Sequence, residues 1–153
     1  IIKMTKKIDA GPVYLTKKII LTTKENINDL HNKVNKIYPY MVENTIQRIL
    51  KKIKPKKQNI KLKRYLKQRS DKDGKIKWNQ MTDYQVFNLV RATTSPYPGA
   101  FYIFQGNKIR LFKCKISKLR EKIEPGKILI KSNQKFVGCK KGCIQIIKER
   151  LSK

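Results

Sequence analysis

The chain has 153 residues, 39% of them hydrophobic, and its 38 Lys and Arg against 10 Asp and Glu give a net charge of +28. This length suits one domain or two small ones, and the hydrophobic share is sufficient for a core. No apolar run reaches the roughly 18 residues of a membrane span and no signal peptide is visible, so we expect no membrane attachment.

The positive charge has two interpretations. A net charge of +28 is far beyond what solubility needs, and it is typical of proteins that bind polyanions such as nucleic acid. The cations are mostly Lys, however, and the chain is also rich in Ile and Asn. An AT-rich coding sequence produces the same bias without any polyanionic partner, so both interpretations stay open.

The three cysteines are Cys114, Cys139 and Cys143. An odd number of cysteines without a signal sequence favours reduced thiols and a cytoplasmic location. A structural zinc site needs four ligands. Since the only histidine, His31, lies far away in sequence, we expect no metal site.

The first residues predict two short strands around a turn. Residues 1–8 and Val13–Thr22 have strand-like composition, and Asp9–Pro12 has the composition of a turn. From its spacing alone, Asp9 is an ordinary turn aspartate. Because the chain begins with Ile1 directly in an apolar run, we expect it to be a piece of a longer protein.

A long helix is predicted next. Thr22–Glu25 matches a capping box, and apolar residues then recur at spacings of three and four as far as Ile53. Pro39 interrupts the pattern, which predicts either a kink or two consecutive helices that meet near Tyr38. His31 lies on this helix beside Leu30 and is expected to be structural.

The middle of the chain begins with a cationic stretch, after which a turn, a short strand and a helix are predicted. Residues 51–64 carry many Lys and are broken by Pro55, which indicates a linker or a solvated edge that could also contact phosphates. Asp73-Gly74 predicts a turn, and the alternation of Ile76 and Trp78 predicts a short strand. A second capping box, Thr82–Gln85, opens a helix that ends before Pro96.

The stretch Ser95–Phe101 predicts a stiff loop, since it holds two prolines two residues apart followed by Gly99. The pattern then changes to strands. A hairpin is predicted around Gln105–Asn107, and three short strands follow at Lys127–Lys131, Lys135–Cys139 and Cys143–Ile147. This series predicts a small β-barrel or a sandwich.

Several of these stretches together resemble one family. They occur in the order Ile8–Pro12, a long helix, Asp73–Trp78, Asn88–Ala92, Pro96–Phe101 and a β-module that follows Pro125-Gly126. This order resembles the formyltransferases that use 10-formyltetrahydrofolate, namely methionyl-tRNA formyltransferase and the formyltransferases of amino-sugar nucleotides. The resemblance covers nearly the whole chain and only the later half of the family's protein.

The resemblance implies an α/β fold in two parts. The first is the tail of a Rossmann-like formyltransferase domain, with strands and a long kinked helix, and the second is a small OB-like β-barrel. We expect residues 1–54 to end the catalytic domain, 55–95 to form a connector and 96–153 to form the C-terminal β-module. The formyl donor implied is 10-formyltetrahydrofolate, whose site lies largely upstream of this chain.

One catalytic residue is carried over from the resemblance. The family's catalytic Asp lies in a motif similar to Asp9-Ala10-Gly11, which assigns that role to Asp9. A carboxylate beside an imidazole orients the ring and raises its pKa. The family's catalytic Asn and His precede this motif, in a stretch the chain lacks, and His31 follows it. We therefore expect these residues alone not to catalyse formyl transfer.

The acceptor implied is a nucleotide-linked amino sugar, because Pro96-Tyr97-Pro98 resembles the sugar enzymes, whereas the tRNA enzymes usually have Trp at the middle position. The charge favours initiator methionyl-tRNA instead. Arg69, Arg91 and Tyr97 are candidates for substrate contact, with packing at the domain junction as the alternative. A homodimer is a further expectation. The rival from another class is a non-enzymatic basic module that binds nucleic acid.

Overall fold

The computed structural model describes residues 1–59, 64–119 and 121–152. Two compact units are present, one of Ile1–Thr23 with Asp29–Gln68 and one of Lys24–Asn28 with Arg69–Lys153. The predicted division at residues 54 and 95 stays a prediction. The elements are α1 (Ile27–Leu50), α2 (Asp83–Thr93), β1 (Ala100–Phe104), β2 (Asn107–Ile116), β3 (Ile128–Lys131), β4 (Gln134–Gly138) and β5 (Cys143–Leu151).

The long helix α1 begins later than the capping box predicted. Its first residue is Ile27, and the backbone N–H of Asn28 donates to Asn26 Oδ1 at 2.8 Å. An asparagine oxygen that accepts from the second helical N–H is an N-cap. Asn26 therefore starts the helix, and the prediction of a start at Thr22 is wrong because another capping residue lies closer to the helical run.

Pro39 lies inside α1, which is one continuous helix of 24 residues. The alternative of two helices that meet near Tyr38 is therefore wrong. The helix ends at Leu50, before the predicted apolar pattern ends. Lys52 adopts a φ of +53°, and the N–H of Ile53 donates to the Arg48 carbonyl at 2.9 Å. These features close the helix in the manner of a Schellman motif.

The first unit has no regular strand among its described residues. Val13 forms isolated bridges with Ile2 and with Lys56, and nothing longer. The two strands predicted over 1–8 and Val13–Thr22 are therefore wrong. One physical reason is local, because Pro12 offers no N–H for a ladder and Asp9 adopts a φ of +50°.

The second unit contains one antiparallel sheet of five strands in the order β1-β2-β5-β4-β3. The sheet is open, so the predicted OB-like barrel is not confirmed. Barrel closure requires the first and last strands of this order to pair. Among the described residues β1 and β3 share no pairing, and β3 has only four residues.

Helix α2 covers one face of the open sheet, as the opposite strands would in a closed barrel. Helix α2 packs against β1, β2 and β5. Val86 and Val90 of the helix are fully buried, together with Leu111, Val137 and Ile144 of the sheet. The core of this unit therefore lies between one helix and one face of the sheet.

The two strongest local predictions are confirmed. Thr82 Oγ1 accepts from the Gln85 N–H at 3.2 Å, and the Thr82 N–H donates to Gln85 Oε1 at 2.9 Å, which completes the capping box. The hairpin of β1 and β2 turns at Gln105 and Gly106, both with positive φ. Such a pair of φ values matches the right-handed twist of the flanking strands.

No helix in the described part of the chain is both long enough and apolar enough to cross a bilayer. The three cysteines are buried and form no disulfide. Burial raises the thiol pKa of Cys114 and of Cys139 to about 12. These two thiols belong to the core cluster and pack as small apolar groups.

The capping box of α2 yields a first prediction. Thr82→Ala removes the acceptor for the Gln85 N–H and should lower the free energy of unfolding by about 1 kcal/mol. Thr82→Ser keeps the hydroxyl and serves as the matched control, with a change of a few tenths at most. Urea denaturation followed by circular dichroism measures both, and equal losses in the two variants would contradict the assignment of the cap.

Candidate functional site

The Asp9 turn is held by a side chain from later in the first unit. Gln58 Nε2 donates to the Asp9 carbonyl at 3.0 Å and to the Gly11 carbonyl at 2.6 Å. The Lys3 N–H donates to the Pro12 carbonyl at 2.8 Å. The backbone of the turn is therefore fixed from two sides, while the Asp9 side chain is exposed.

Glycine is required at position 11 by the closeness of this packing. A Cβ built on Gly11 would lie 1.6 Å from the Lys3 carbonyl oxygen, a distance that no real Cβ contact allows. The packing of the turn therefore explains the glycine of the motif Asp9-Ala10-Gly11. Its glycine lets two backbone segments touch, and the aspartate is carried on the turn that results.

The loop after α2 is anchored through its backbone. The Tyr97 N–H donates to the Thr94 carbonyl at 3.0 Å, and the Gly99 N–H donates to the Thr93 carbonyl at 2.8 Å. Gly99 has a φ of +91°, and an added Cβ would lie 3.0 Å from the Phe112 ring. The loop thus ends against an aromatic ring, and its Tyr97 is 46% exposed.

An ion-pair cluster that sequence reasoning missed fastens this loop to the hairpin. Arg110 Nη1 donates to Asp71 Oδ1 at 2.8 Å and lies 3.5 Å from the Gly99 carbonyl oxygen. Lys108 Nζ donates to the other oxygen of Asp71. The hydrogen bonds from Arg110 and Lys108 lower the pKa of the Asp71 carboxyl, so it stays ionised over a wider pH range.

The segment that carries Asp71 is a 3₁₀ turn over Asp71–Gly74, which includes the turn predicted at Asp73-Gly74. Its start is capped, since the Ser70 N–H donates to Asp73 Oδ2 at 2.7 Å. The predicted strand at Ile76 is wrong in extent. Ile76 donates its N–H to the Phe101 carbonyl at 2.7 Å, and only one isolated bridge forms there.

A second polar network joins strands β1, β4 and β5. Tyr102 Oη donates to Glu149 Oε2 at 2.6 Å, and Lys135 Nζ donates to Glu149 Oε1 at 2.7 Å. Trp78 meets the Tyr102 ring edge-on, with centroids 5.3 Å apart. Burial, followed by the neighbouring Glu149 carboxylate, raises the pKa of the Tyr102 hydroxyl, which therefore stays a hydrogen-bond donor.

The network reaches across four strands. Tyr102 belongs to β1 and Lys135 to β4, with β2 and β5 between them. Three strand spacings correspond to about 14 Å in a flat sheet. Lys135 Nζ lies 3.3 Å from Tyr102 Oη, so two long side chains meet across the two intervening strands.

The remaining predicted site residues lie in the second unit, whereas Asp9 lies in the first. Arg69 is exposed and immediately precedes the capped 3₁₀ turn. Arg91 is half-buried in the last turn of α2, with its Cζ 5.9 Å from the centroid of the Phe87 ring. The Arg91 guanidinium thus lies over the Phe87 ring. Substrate contact by Arg69, Arg91 and Tyr97 stays a prediction.

Residues 68–153, more than half of the chain, match the family described as formyl transferase, C-terminal domain. The chain belongs to this family. The matched region contains the Asp71 cluster, the proline loop and the whole sheet. The Asp9 turn precedes it.

Two curated relatives extend the similarity over nearly all residues of this chain. It is 36% identical over 146 residues to the bifunctional polymyxin resistance protein ArnA of Wigglesworthia glossinidia brevipalpis, covering 95% of the chain and 22% of the relative. It is 30% identical over 141 residues to a methionyl-tRNA formyltransferase of Thermodesulfovibrio yellowstonii, covering 92% and 44%. The chain spans less than half the length of either relative.

A solved structure shares the fold of this chain. HypX from Aquifex aeolicus, in complex with tetrahydrofolic acid, superposes with a TM-score of 0.75 at 19% sequence identity. The superposition covers 99% of this chain and 27% of HypX. At this identity the likeness concerns the fold, and it includes the open sheet with its helices.

The Asp71 cluster yields a pH prediction. The folded-state pKa of Asp71 lies below its ordinary value of 3.8. Its ion pairs therefore stabilise the fold above that pH, and their contribution is lost as the pH falls further, through the folded-state pKa. Asp71→Asn removes the contribution. The difference in unfolding free energy between parent and variant should be constant above pH 5 and shrink below about pH 4.

Urea titrations over a pH series measure this difference. Glu121→Gln is the matched control, because the pair of Glu121 with Lys131 has both side chains more than half exposed. Its difference from the parent should be close to zero at every pH. A difference between parent and Asp71→Asn that does not change with pH would contradict the role given to the cluster.

Proposed function

We propose that this chain is the C-terminal portion of a formyltransferase that moves a formyl group from 10-formyltetrahydrofolate to the amino group of a nucleotide-linked amino sugar. Membership of the formyltransferase family through residues 68–153 carries the proposal. The Asp9-Ala10-Gly11 motif supports it from outside that region, since the turn presents an exposed carboxylate on a fixed backbone. This family membership favours an enzyme over the non-enzymatic nucleic-acid-binding module.

The reaction proposed is acyl transfer to nitrogen. The neutral amine attacks the formyl carbon, its C–N bond forms, and the bond between that carbon and the folate nitrogen breaks. The products are a formamide and tetrahydrofolate, since the attacking amine loses one proton and the leaving folate nitrogen gains one. Asp9 is assigned to orient the catalytic histidine, hold a water molecule and help take up that proton. The folate, when bound, supplies the formyl group.

The Asp9 turn is the part of this chain that we assign to the site of the formyl donor. Asp9 is exposed on this turn, whose backbone Gln58 holds through the carbonyls of Asp9 and Gly11. Asp9 is thus available to a histidine and a donor held by the upstream part of the protein. The similarity of HypX, which binds tetrahydrofolic acid in its solved structure, supports the choice of a folate donor.

The acceptor is assigned from the proline loop. Pro96-Tyr97-Pro98 resembles the sugar-nucleotide enzymes, and Tyr97 is 46% exposed on an anchored loop, where it is able to touch a substrate. Initiator methionyl-tRNA is the second candidate. The net charge of +28 favours it, as does the 30% identity with a methionyl-tRNA formyltransferase. A steep dependence of log affinity on log salt would identify the tRNA acceptor.

A chimera tests the proposal. The chain replaces the corresponding segment of the ArnA relative, and formyl transfer from 10-formyltetrahydrofolate is measured with a nucleotide-linked amino sugar and with methionyl-tRNA. We expect the sugar to be formylated with at least about tenfold higher kcat/KM. Preference for methionyl-tRNA would replace the sugar acceptor by the tRNA, and no transfer to either amine from a folded chimera would contradict the function.

Within that chimera, Asp9→Asn should lower kcat by about 10²- to 10⁴-fold, the range that a positioned acid or base contributes. KM for the donor should change little, because the carboxylate assists proton transfer and does not bind the donor. Glu43→Gln, at an exposed position of α1, is the control for loss of one carboxylate. Equal activity of Asp9→Asn and the parent would remove Asp9 from the site.

The isolated chain should be inactive. Its single histidine, His31, lies on α1, beyond the Asp9 turn. Mixing the chain with 10-formyltetrahydrofolate and each amine, with product detected by mass spectrometry, should show no formamide above the uncatalysed rate. Turnover by the isolated chain would show that its own residues complete the catalytic machinery.

A further inference from the structure

One face of the sheet carries a row of cations that the formyl-transfer chemistry does not use. The strand register pairs Phe101 of β1 with Arg110 of β2, and Arg110 with Arg150 of β5. Residues paired in this way lie on the same face, with Cβ atoms roughly 5 Å apart. Lys108, two residues before Arg110, lies on that face as well.

Aromatic rings hold these cations in place. Lys108 Nζ lies 4.1 Å from the centroid of the Phe101 ring, and Arg150 Cζ lies 5.8 Å from that of Phe112. A cation over a ring is attracted to the negative face of the ring. Phe112 is itself fixed, since it packs against the backbone of Gly99. The charged groups are therefore ordered before any ligand arrives.

Charge in this row is not balanced. Among the described residues, Asp71 is the acidic group that meets it, through Lys108 and Arg110. Arg150 has no ion pair in that part of the chain. Two arginines opposite each other on neighbouring strands destabilise a sheet. Three cations against one carboxylate thus leave an excess positive charge that costs stability and that an anion would neutralise.

We propose that Lys108, Arg110 and Arg150 form a binding site for the phosphate group of a small phosphorylated ligand. Guanidinium groups bind phosphate oxygens in a bidentate fork, and a lysine adds a compact charge. The carboxylate of Asp71 at one end of the row disfavours an extended polyanion that would run past it. Three cations match the charge of one phosphate or diphosphate group, and the site does not depend on formyl transfer.

Pyrophosphate is the probe that tests the site. Binding to the chain is measured by isothermal titration calorimetry at low ionic strength. Arg150→Gln should weaken binding about tenfold, the effect of one charge-assisted hydrogen bond. Arg64→Gln is the matched control, because it removes the same charge from an exposed position in the first unit. It should leave the affinity within about twofold of the parent.

A second variant separates binding from stability. Asp71→Asn removes the competing carboxylate and should tighten pyrophosphate binding several-fold, even though the fold loses two ion pairs. Equal weakening by Arg150→Gln and Arg64→Gln would show general attraction by the net charge and would overturn the proposal. Weaker binding by Asp71→Asn would overturn it as well. So would a short single-stranded RNA that binds more tightly than pyrophosphate.

Discussion

The apolar contact between α2 and one face of the sheet is the interaction on which the second unit depends. Val86 and Val90 from the helix meet Leu111 and Ile144 from the sheet with almost no exposure. Each such side chain contributes about 1.5–3 kcal/mol when it is buried. Because the sheet is open, no opposite wall of strands replaces this contact. The proline loop leaves α2 at one end and enters β1 directly, so its position follows from the same packing.

Local signals predicted the helices and the hairpin turn well and the strands of the first unit poorly. The capping box at Thr82 and the hairpin turn at Gly106 involve residues within four positions of one another, which a sequence displays directly. The start of α1 was misplaced because Thr22 and Asn26 both have capping chemistry. Which of them acts as the cap depends on tertiary packing rather than on propensity.

Whether the sheet closes into a barrel could not be predicted from the sequence, for a related reason. Strand order and curvature arise from pairings between distant segments, and alternation of residues describes only one strand at a time. In β2 the register shifts between Leu111 and Cys114, so both are buried although their positions differ by an odd number. Such a bulge hides the alternation that a simple pattern requires.

The candidate site residues also differ in whether the sequence could reveal them. Asp9 was identified through resemblance, and the structure adds the reason for its neighbour, since Gly11 has no space for a side chain. Asp71 meets Lys108 and Arg110 across 37 and 39 positions of sequence. Charged residues are abundant in this chain, so no pattern marks that carboxylate as the one with two partners.

The two edges of the open sheet determine how readily a strand from another chain can pair with it. A free strand edge offers unpaired backbone groups to any other extended chain. At one edge, the backbone of Lys75 and Ile76 occupies part of β1. At the other, β3 is only four residues long and ends in Lys131. A short edge that ends in a positive charge resists further strand addition. Both edges of the open sheet are therefore partly protected against addition of a strand from another chain.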